Sequence, residues 1–250
     1  MMDENKVKQM LTPPDLMASK RVLCVQPHPD DNEVGAGATI AKLSEQGSEV
    51  YYLTITSGDL GGSNIEPEEI KAVRAKETEA AGRYLGVKGF YSLGLPDNMP
   101  QSIEEIVPGI IEVIRDMKAD AILCPDPWLP YEAHADHRKT GYAVAQAFLM
   151  SGNANYPRGK QNSPWEVPII AFYFTANPNT IIDTTATMEK KFAAMAMHES
   201  QFDENILELY RYYFTMKGRE LAQGKGFEVG EGFKVMSRLF MHCFVDAIHI

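Results

Sequence analysis

The chain has 250 residues, of which 44% are hydrophobic and 23% are charged, a composition typical of a globular protein with one sizeable core. Its 24 basic and 34 acidic residues give a formal net charge of -10, which argues against nucleic acids and anionic membranes as partners. It contains no apolar run of about 18 residues, and its polar N-terminus lacks the apolar stretch of a signal peptide, so we expect a cytoplasmic protein.

The first 150 residues alternate between short apolar runs and longer segments with helical spacing. The runs predict strands and the longer segments predict helices. In chain order, the predicted elements are a strand at 21–26, a helix at 33–46, a strand at 50–56, a helix at 68–85, a strand at 90–93, a helix at 103–117, a strand at 121–124 and a helix at 138–150. This alternation predicts an α/β fold, a Rossmann-like three-layer αβα arrangement with a mainly parallel sheet.

The rest of the chain is less regular. We predict a polar loop at 151–168, strands at 169–174 and 180–183, helices at 187–198 and 204–223, and a last apolar run at 239–245. We therefore expect a single domain over residues 1–250, with an N-terminal arm at 1–19. The C-terminal part, 151–250, is expected to form a small extension that completes the functional site.

The three cysteines, Cys24, Cys124 and Cys243, lie in apolar runs and are widely separated. Their odd number and their spacing argue against a disulfide framework and against a zinc site built from cysteines. We expect all three to be buried as small hydrophobic residues of a protein from a reducing compartment.

Two histidine-containing motifs follow predicted strands. The first, His28-Pro29-Asp30-Asp31, comes directly after the first strand, and the second, His134-Ala135-Asp136-His137, follows the fourth strand after a loop. In the doubly wound strand order 3-2-1-4-5, the first and fourth strands are neighbours. Ligands bind at the carboxyl ends of such strands, where the strand order reverses. We therefore expect the two motifs to meet, although they lie far apart in the sequence.

Two imidazoles and one carboxylate form a typical zinc site with a fourth position open to water. Zinc lowers the pKa of water towards neutrality, and a nearby carboxylate can then take up the proton. The first motif supplies two adjacent carboxylates, Asp30 and Asp31, so one can bind the metal while the other acts as a base. The N-terminus of the helix that follows favours both anionic side chains.

Each motif by itself also has a purely structural interpretation. A His-Pro pair often marks a turn, and paired aspartates often cap a helix. Both motifs at neighbouring strand ends together favour a metal site. Gly35 and Gly37 do not complete a dinucleotide-binding fingerprint, because Ile40 stands where the third glycine is required. This counts against a nucleotide-binding oxidoreductase, which is the alternative that the fold alone allows.

The chain resembles the LmbE-like (PIG-L) N-acetylglucosaminyl deacetylases over residues 20–245. The two histidine motifs carry the resemblance, together with shorter matches at Thr56 to Asp59, Arg74 with Glu77, Leu95-Pro96-Asp97 and His198-Glu199-Ser200-Gln201. Within the family, the chain is most similar to the archaeal diacetylchitobiose deacetylases. That similarity lies in three segments, Pro125–Glu132, Gly230–Phe233 and Leu239–His242.

The resemblance implies specific roles for individual residues. Zn2+ would be held by His28, Asp31 and His137, and Asp30 would be the general base. Near the reacting centre, either of two histidines could stabilise the oxyanion or act as an acid, namely His134 and His242. The resemblance also implies a homo-oligomer, with a hexamer as the archaeal form.

Further residues are candidates for supporting roles. Arg74 and Asp97 could bind sugar hydroxyls, although Arg74 could equally form a surface pair with Glu77, and Asp97 could cap a turn. Trp128 could stack on the face of a sugar or simply anchor its own loop. Asp136 could hold one of the metal-binding histidines in the correct orientation.

The predicted function is zinc-dependent hydrolysis that removes the N-acetyl group from a small molecule containing N-acetylglucosamine. A chitobiose-like sugar and a glucosaminyl conjugate are the candidate substrates. The alternatives are an amidase that acts on a thiol or glycosyl conjugate and a non-catalytic zinc- or sugar-binding protein. The binding protein is disfavoured because a pure binding site has no need of a base such as Asp30.

Overall fold

The computed structural model describes residue 3 and residues 10–159 and 162–250. Most of the first half of the predicted N-terminal arm lies outside these residues. In the described part of the arm, a short 3-10 helix at Leu16–Ala18 begins after Asp15, whose side chain accepts a hydrogen bond from the Met17 backbone N–H. The Leu16 side chain is buried in a hydrophobic core, so this end of the arm packs against the sheet.

Strands and helices alternate as predicted up to residue 150. The elements are β1 (Arg21–Gln26), α1 (Asp31–Glu45), β2 (Glu49–Thr56), α2 (Pro67–Tyr84), β3 (Gly89–Leu95), α3 (Ile103–Met117), β4 (Ala121–Pro125), α4 (Ala135–Met150), β5 (Ile169–Tyr173), β6 (Thr180–Asp183), α5 (Met188–Met195), α6 (Glu204–Ala222) and β7 (Gly230–Ser237). A second 3-10 helix covers Val245–His249. Among the helices in the described ranges, none combines the length and the apolar character needed to cross a membrane.

The strands form one sheet in the order β3-β2-β1-β4-β5-β7-β6. The first five strands in this order run parallel, since a helical crossover returns the chain to the same edge before each new strand. The predicted neighbours β1 and β4 pair directly, with Val22 opposite Ala121. The strand order reverses at this pair, so the predicted α/β fold and its switch point are confirmed.

The strand β7 was not predicted from the sequence. It runs antiparallel between β5 and β6. Two glycines and Lys234 obscure the alternation that marks a half-buried strand, but the glycines are needed for close packing. A Cβ atom at Gly230 would stand 2.7 Å from the Ile181 side chain. The C-terminal part of the chain therefore adds β5, β6 and β7 to the same sheet.

Hydrophobic cores cover both faces of the sheet and give the three-layer arrangement. Successive residues of a strand point to opposite faces, so Leu23 belongs to one core and Cys24 to the other. The first core packs α3 and α4 against the sheet, with Ile110 and Phe148 fully buried. The second core packs α1 against the opposite face, through residues such as Ile40.

The cysteines are free thiols, and two of them are placed as predicted. Cys24 and Cys124 are buried, whereas Cys243 is exposed, which contradicts the prediction for that residue. The last apolar run buries Phe240, but the chain then turns, with Cys243 at a φ of 55°. The run is therefore too irregular to carry all of its apolar side chains into the core.

Candidate metal centre and active site

Two helix N-termini meet at the carboxyl ends of β1 and β4. The helix α1 begins at Asp31, earlier than predicted, and so places this aspartate in its first turn. The helix α4 also begins earlier than predicted, with His134 as its N-cap and His137 in its first turn. The structure brings the two sequence motifs together, because the ring centroids of His28 and His137 are 5.3 Å apart.

Three of these residues, His28, Asp31 and His137, form a compact set that we call the metal triad. His28 Nδ1 lies 3.3 Å from Asp31 Oδ2, and His137 Nε2 lies 3.3 Å from Asp31 Oδ1. In a tetrahedral site, zinc bonds of about 2.0–2.2 Å place neighbouring donor atoms about 3.3–3.6 Å apart. Each histidine nitrogen lies at this spacing from one of the two Asp31 oxygens, and one ligand atom from each residue lies within 4.8 Å of the other two, so the metal triad can hold a zinc ion after small side-chain movements.

The second ring nitrogen of His28 faces Asp136. His28 Nε2 lies 3.2 Å from Asp136 Oδ2. The buried Asp136 carboxylate also accepts hydrogen bonds from the backbone N–H groups of Asn98 (2.7 Å) and Met99 (3.1 Å). A carboxylate on the outer nitrogen of a metal-binding histidine fixes the ring and directs its other nitrogen at the metal. The structure therefore places Asp136 where it can orient His28.

Asp136 also belongs to a second group that could hold a metal ion. With His28 and His134, it offers ligand atoms that lie within 4.8 Å of one another. The two backbone hydrogen bonds that Asp136 accepts, and its contact with His28 Nε2, favour the orienting role instead.

Replacing Asp136 with Asn is expected to weaken metal binding by about 10- to 100-fold, because the change removes the charge that orients His28 but keeps the size of the side chain. Competition with a fluorescent chelator measures the affinity. Asp126→Asn is the matched control, since the Asp126 carboxylate follows β4 but accepts its hydrogen bond from the Trp128 N–H (2.9 Å). An unchanged affinity in the Asp136 variant would contradict the orienting role.

The two adjacent aspartates of the first motif have different environments. Burial raises the pKa of Asp30 to about 7, and the charge of Asp31 adds to this effect, while Arg74 opposes it. Burial would also raise the pKa of Asp31, but His137 and the hydrogen bonds from His28 outweigh burial and hold this pKa at about 2. The pKa values of the two neighbouring carboxyl groups are therefore shifted in opposite directions. Such a pair provides one group that can transfer protons, here Asp30, and one that stays ionised, here Asp31.

Asp30 stands next to the metal triad but is held by a different partner. Arg74 Nη2 lies 3.1 Å from Asp30 Oδ2. The φ angle of Asp30 is 149°, in a region that residues other than glycine rarely adopt. The tight turn between β1 and α1 thus points the two aspartates at different groups, which is compatible with the separate roles that the resemblance implies for them.

His134 lies at the rim of the site and is exposed. Its ring centroid is 4.6 Å from that of His28 and 5.1 Å from that of His137. Its Nδ1 accepts a hydrogen bond from the Asp136 backbone N–H (3.3 Å), which caps α4. Partial removal of its ring from water lowers the pKa of His134, and the nearby His28 and His137 lower this pKa further.

Glu132 is a site residue that the sequence analysis missed. Its Oε1 accepts a hydrogen bond from the His134 backbone N–H (2.7 Å), and its Oε2 lies 3.5 Å from His137 Nδ1. The Glu132 carboxylate therefore faces the second ring nitrogen of His137, just as the Asp136 carboxylate faces the second ring nitrogen of His28. The oxygen–nitrogen distance is longer for Glu132, at 3.5 Å against 3.2 Å. Its signals in the sequence are its place in the loop before the second motif and at the end of the similar segment Pro125–Glu132, and neither assigns it a role.

A small cavity opens beside Asp30, and we call it the polar cavity. It has a volume of about 280 Å³. Its lining includes His28, Asp30, Arg74, Asp97, His134 and Gln201. Of the residues predicted to bind substrate, Arg74 and Asp97 therefore lie together at this cavity. Its charged and hydrogen-bonding groups are of the kind that bind sugar hydroxyls.

Arg74 is buried, which contradicts the alternative of a surface pair with Glu77. Its guanidinium donates hydrogen bonds to the carbonyl oxygens of Pro29 (3.1 Å) and Gly58 (3.3 Å). Glu77 instead accepts hydrogen bonds from Ser200. The spacing of three residues places Arg74 and Glu77 near each other on α2, but it does not require them to contact each other. Each of the two side chains instead binds a different neighbouring segment.

Asp97 holds the glycine-rich loop that follows β2. Its carboxylate accepts hydrogen bonds from the backbone N–H groups of Gly58 (2.9 Å) and Leu60 (3.0 Å). The loop lies so close to Arg74 that a Cβ atom at Gly61 would stand 2.5 Å from its Nη1. Asp97 thus caps a loop, as one interpretation of the sequence expected, and also lines the polar cavity.

A second and larger cavity also reaches Asp30, and we call it the large cleft. It has a volume of about 840 Å³. Asp31 and His137 of the metal triad line it at one end. It extends to α6, which contributes Tyr210, Tyr213, Phe214 and Lys217.

Two predicted site residues are not brought to the metal triad within the described chain. Trp128 packs edge-on against Tyr142 and Phe172, at centroid distances of 5.6 Å and 5.5 Å, as an anchor for its loop would. His242 is exposed, and its Nε2 lies 3.6 Å from Cys243 Sγ. The roles predicted for both residues in substrate binding and catalysis remain predictions.

Comparison with known families gives a match over residues 23–148 to the PIG-L family, which is described as GlcNAc-PI de-N-acetylase. This range contains both histidine motifs, the glycine-rich loop and Asp97. It therefore covers all the residues of the metal triad and those named above as lining the polar cavity, except Gln201.

Individual relatives extend the similarity over most of the chain. A diacetylchitobiose deacetylase from Thermococcus kodakarensis is 35% identical over 228 residues, which cover 89% of this chain and 85% of the relative. A probable N-acetyl-alpha-D-glucosaminyl L-malate deacetylase 2 from Bacillus anthracis is 28% identical, with coverage of 78% and 87%. The solved N,N'-diacetylchitobiose deacetylase from Pyrococcus horikoshii superimposes with a TM-score of 0.88 and 34% identity, covering 100% of this chain and 99% of that one.

Proposed function

The chain belongs to the PIG-L family, and we propose that it is a zinc-dependent deacetylase that hydrolyses the N-acetyl group of a small molecule containing N-acetylglucosamine. The observation that carries this proposal is the metal triad with Asp30 beside it, where His28 and Asp30 line the polar cavity. A site of this kind combines a metal position, a base and room for a sugar. We propose one deacetylase domain over residues 1–250.

His28, Asp31 and His137 would hold the zinc ion, and Asp136 would keep His28 in position. When bound, zinc acts as a Lewis acid that polarises a carbonyl group and lowers the pKa of water. Asp30, held by Arg74 at 3.1 Å, takes a proton from the attacking water. The same carboxyl then returns this proton to the nitrogen of the leaving amine.

His134 would donate a hydrogen bond to the oxygen on which negative charge develops. Its Nδ1 accepts the N–H that caps α4, so its Nε2 carries the proton and can act as the donor. His242 stays an alternative for this role. Asp97 and Arg74 line the polar cavity, where they would bind sugar hydroxyls, and Trp128 would contribute only if the substrate extends to its loop.

The test combines metal analysis with acetate release. We expect zinc in the purified protein and acetate from N-acetylglucosamine, diacetylchitobiose or N-acetylglucosaminyl-malate, and the preferred sugar identifies the substrate. Release of acetate only from a thiol conjugate would instead indicate the amidase alternative. Zinc binding without acetate release from any of these compounds would indicate a non-catalytic binding protein.

We also propose that the protein forms a homo-oligomer, with a hexamer as the expected form, in the cytoplasm. The similarity to archaeal deacetylases supports the oligomer, and the free cysteines are compatible with the reducing cytoplasm. Light scattering on the purified protein measures the mass of the particle. A particle with the 27.9 kDa mass of a single chain would contradict the proposal.

A further inference from the structure

The polar cavity and the large cleft meet at Asp30, which lines both of them. The metal triad lies at the same junction, because His28 lines the polar cavity whereas Asp31 and His137 line the large cleft. An amide held at the triad therefore has two differently shaped spaces available, one for each of its ends.

The two ends of the substrate amide have different chemical needs. The nitrogen carries the sugar, whose hydroxyls suit the polar cavity of about 280 Å³. The carbonyl carbon carries the acyl group, which in an acetamide is a single methyl group. The large cleft, at about 840 Å³, is far larger than one methyl group requires.

We propose that the large cleft is an acyl-chain site, so that the enzyme also hydrolyses N-acyl glucosamines whose acyl chains are longer than acetyl. This inference rests on the proposed function, since it uses the same metal triad and the same base. Water supplies the oxygen that joins the carbonyl carbon, the C–N bond breaks, and the amine nitrogen receives the proton that Asp30 took from water. The products are a fatty carboxylate and glucosamine.

The walls of the large cleft suit an apolar chain. Val34, Met188, Phe202, Tyr210 and Phe214 contribute mainly apolar surface. All five belong to, or pack against, one hydrophobic cluster shared by α1, α5 and α6, and Tyr210 also packs edge-on against Phe214 at a centroid distance of 5.6 Å.

Two of the charged residues that line the large cleft, Lys191 and Glu231, form an ion pair. Lys191 Nζ lies 2.7 Å from Glu231 Oε1, and both side chains are buried. Lys191 Nζ also lies 4.2 Å from the centroid of the Phe214 ring, a cation–π contact. An acyl chain would therefore meet a paired and largely covered charge.

The test compares N-acetyl-, N-butyryl- and N-hexanoyl-glucosamine as substrates, with release of the free amine as the readout. Each methylene that becomes fully buried strengthens binding by up to about fourfold. We expect kcat/KM to rise by about tenfold or more from the acetyl to the hexanoyl compound. A kcat/KM that stays level or falls along this series would overturn the proposal.

A pair of neighbouring variants locates the effect. Tyr213 lines the large cleft, whereas Tyr212 is the more exposed of the two, at 72% against 47%, and does not line it. Tyr213→Ala is expected to lower the ratio of hexanoyl to acetyl kcat/KM by threefold or more, and Tyr212→Ala to leave this ratio unchanged. Equal effects of the two variants would overturn the assignment of the cleft.

A second series separates the acyl chain from an aglycone. Alkyl glycosides of N-acetylglucosamine place the same apolar chain on the sugar instead of on the carbonyl carbon. If kcat/KM rises with chain length only in this glycoside series, the large cleft binds the aglycone and the proposal is overturned. If N-acetylglucosamine itself is hydrolysed but the longer amides are not, only this inference fails, whereas inactivity on every compound contradicts the proposed function.

Discussion

Replacing Asp30 with Asn is expected to lower kcat by about 10²- to 10⁴-fold while the metal content of the protein stays unchanged. The amide cannot take the proton from water, so the general-base contribution is lost. Asp30 is not part of the metal triad, and its carboxylate contacts Arg74 instead. Acetate release gives kcat, and mass spectrometry of the digested protein gives the zinc content.

We expect the Asp30→Asn substitution to leave the stability of the fold nearly unchanged. Asparagine has nearly the same size and shape as aspartate, so the substitution adds no new steric strain at the φ of 149° that Asp30 already adopts. The thermal unfolding temperature of the variant serves as the control for correct folding. A folded variant that keeps its zinc and loses less than about tenfold in kcat would show that another group acts as the base.

Replacing His137 with Ala is expected to remove bound metal and activity together. His137 Nε2 lies 3.3 Å from Asp31 Oδ1, and its loss leaves only two of the three proposed ligands. Metal affinity should fall by more than the loss of about 10- to 100-fold that follows when a residue that only orients a ligand is replaced. Zinc content after dialysis, and activity with zinc added back, measure the two effects.

His249→Ala is the matched control for this experiment, because His249 is exposed in the C-terminal 3-10 helix. It should keep both zinc and activity. Chelator treatment of the unchanged protein should also abolish activity, and zinc should restore it. Retention of stoichiometric zinc by the His137 variant would rule out the metal triad as the zinc site.

The β-α alternation could be predicted because hydrophobic periodicity is a local property of the chain. The meeting of the two histidine motifs could be predicted as well, because the handedness and order of parallel strands limit where their carboxyl ends can lie. The strand β7 escaped prediction, since Gly230 and Gly232 are explained only by the close approach of β6 and its neighbouring turn.

The burial of individual side chains was harder to predict than the elements that carry them. Arg74 has the spacing of a surface ion pair, yet it is buried against the glycine-rich loop, where Gly61 leaves room for it. Cys243 has apolar neighbours, yet it is exposed. Both outcomes depend on which distant segment packs against the residue, and the local sequence does not determine that segment.

The sequence by itself determined which chemical groups are present and near which strand ends they lie. Both can be identified from a few consecutive residues, because ligand type and strand periodicity are local properties of the chain. Only the tertiary structure decided how the two adjacent carboxylates divide their partners, with Asp31 among the histidines and Asp30 against Arg74. It also revealed the large cleft, whose walls come from α1, α5 and α6. Such features depend on distances between residues far apart in the chain, and these distances exist only after the sheet and its helices have packed.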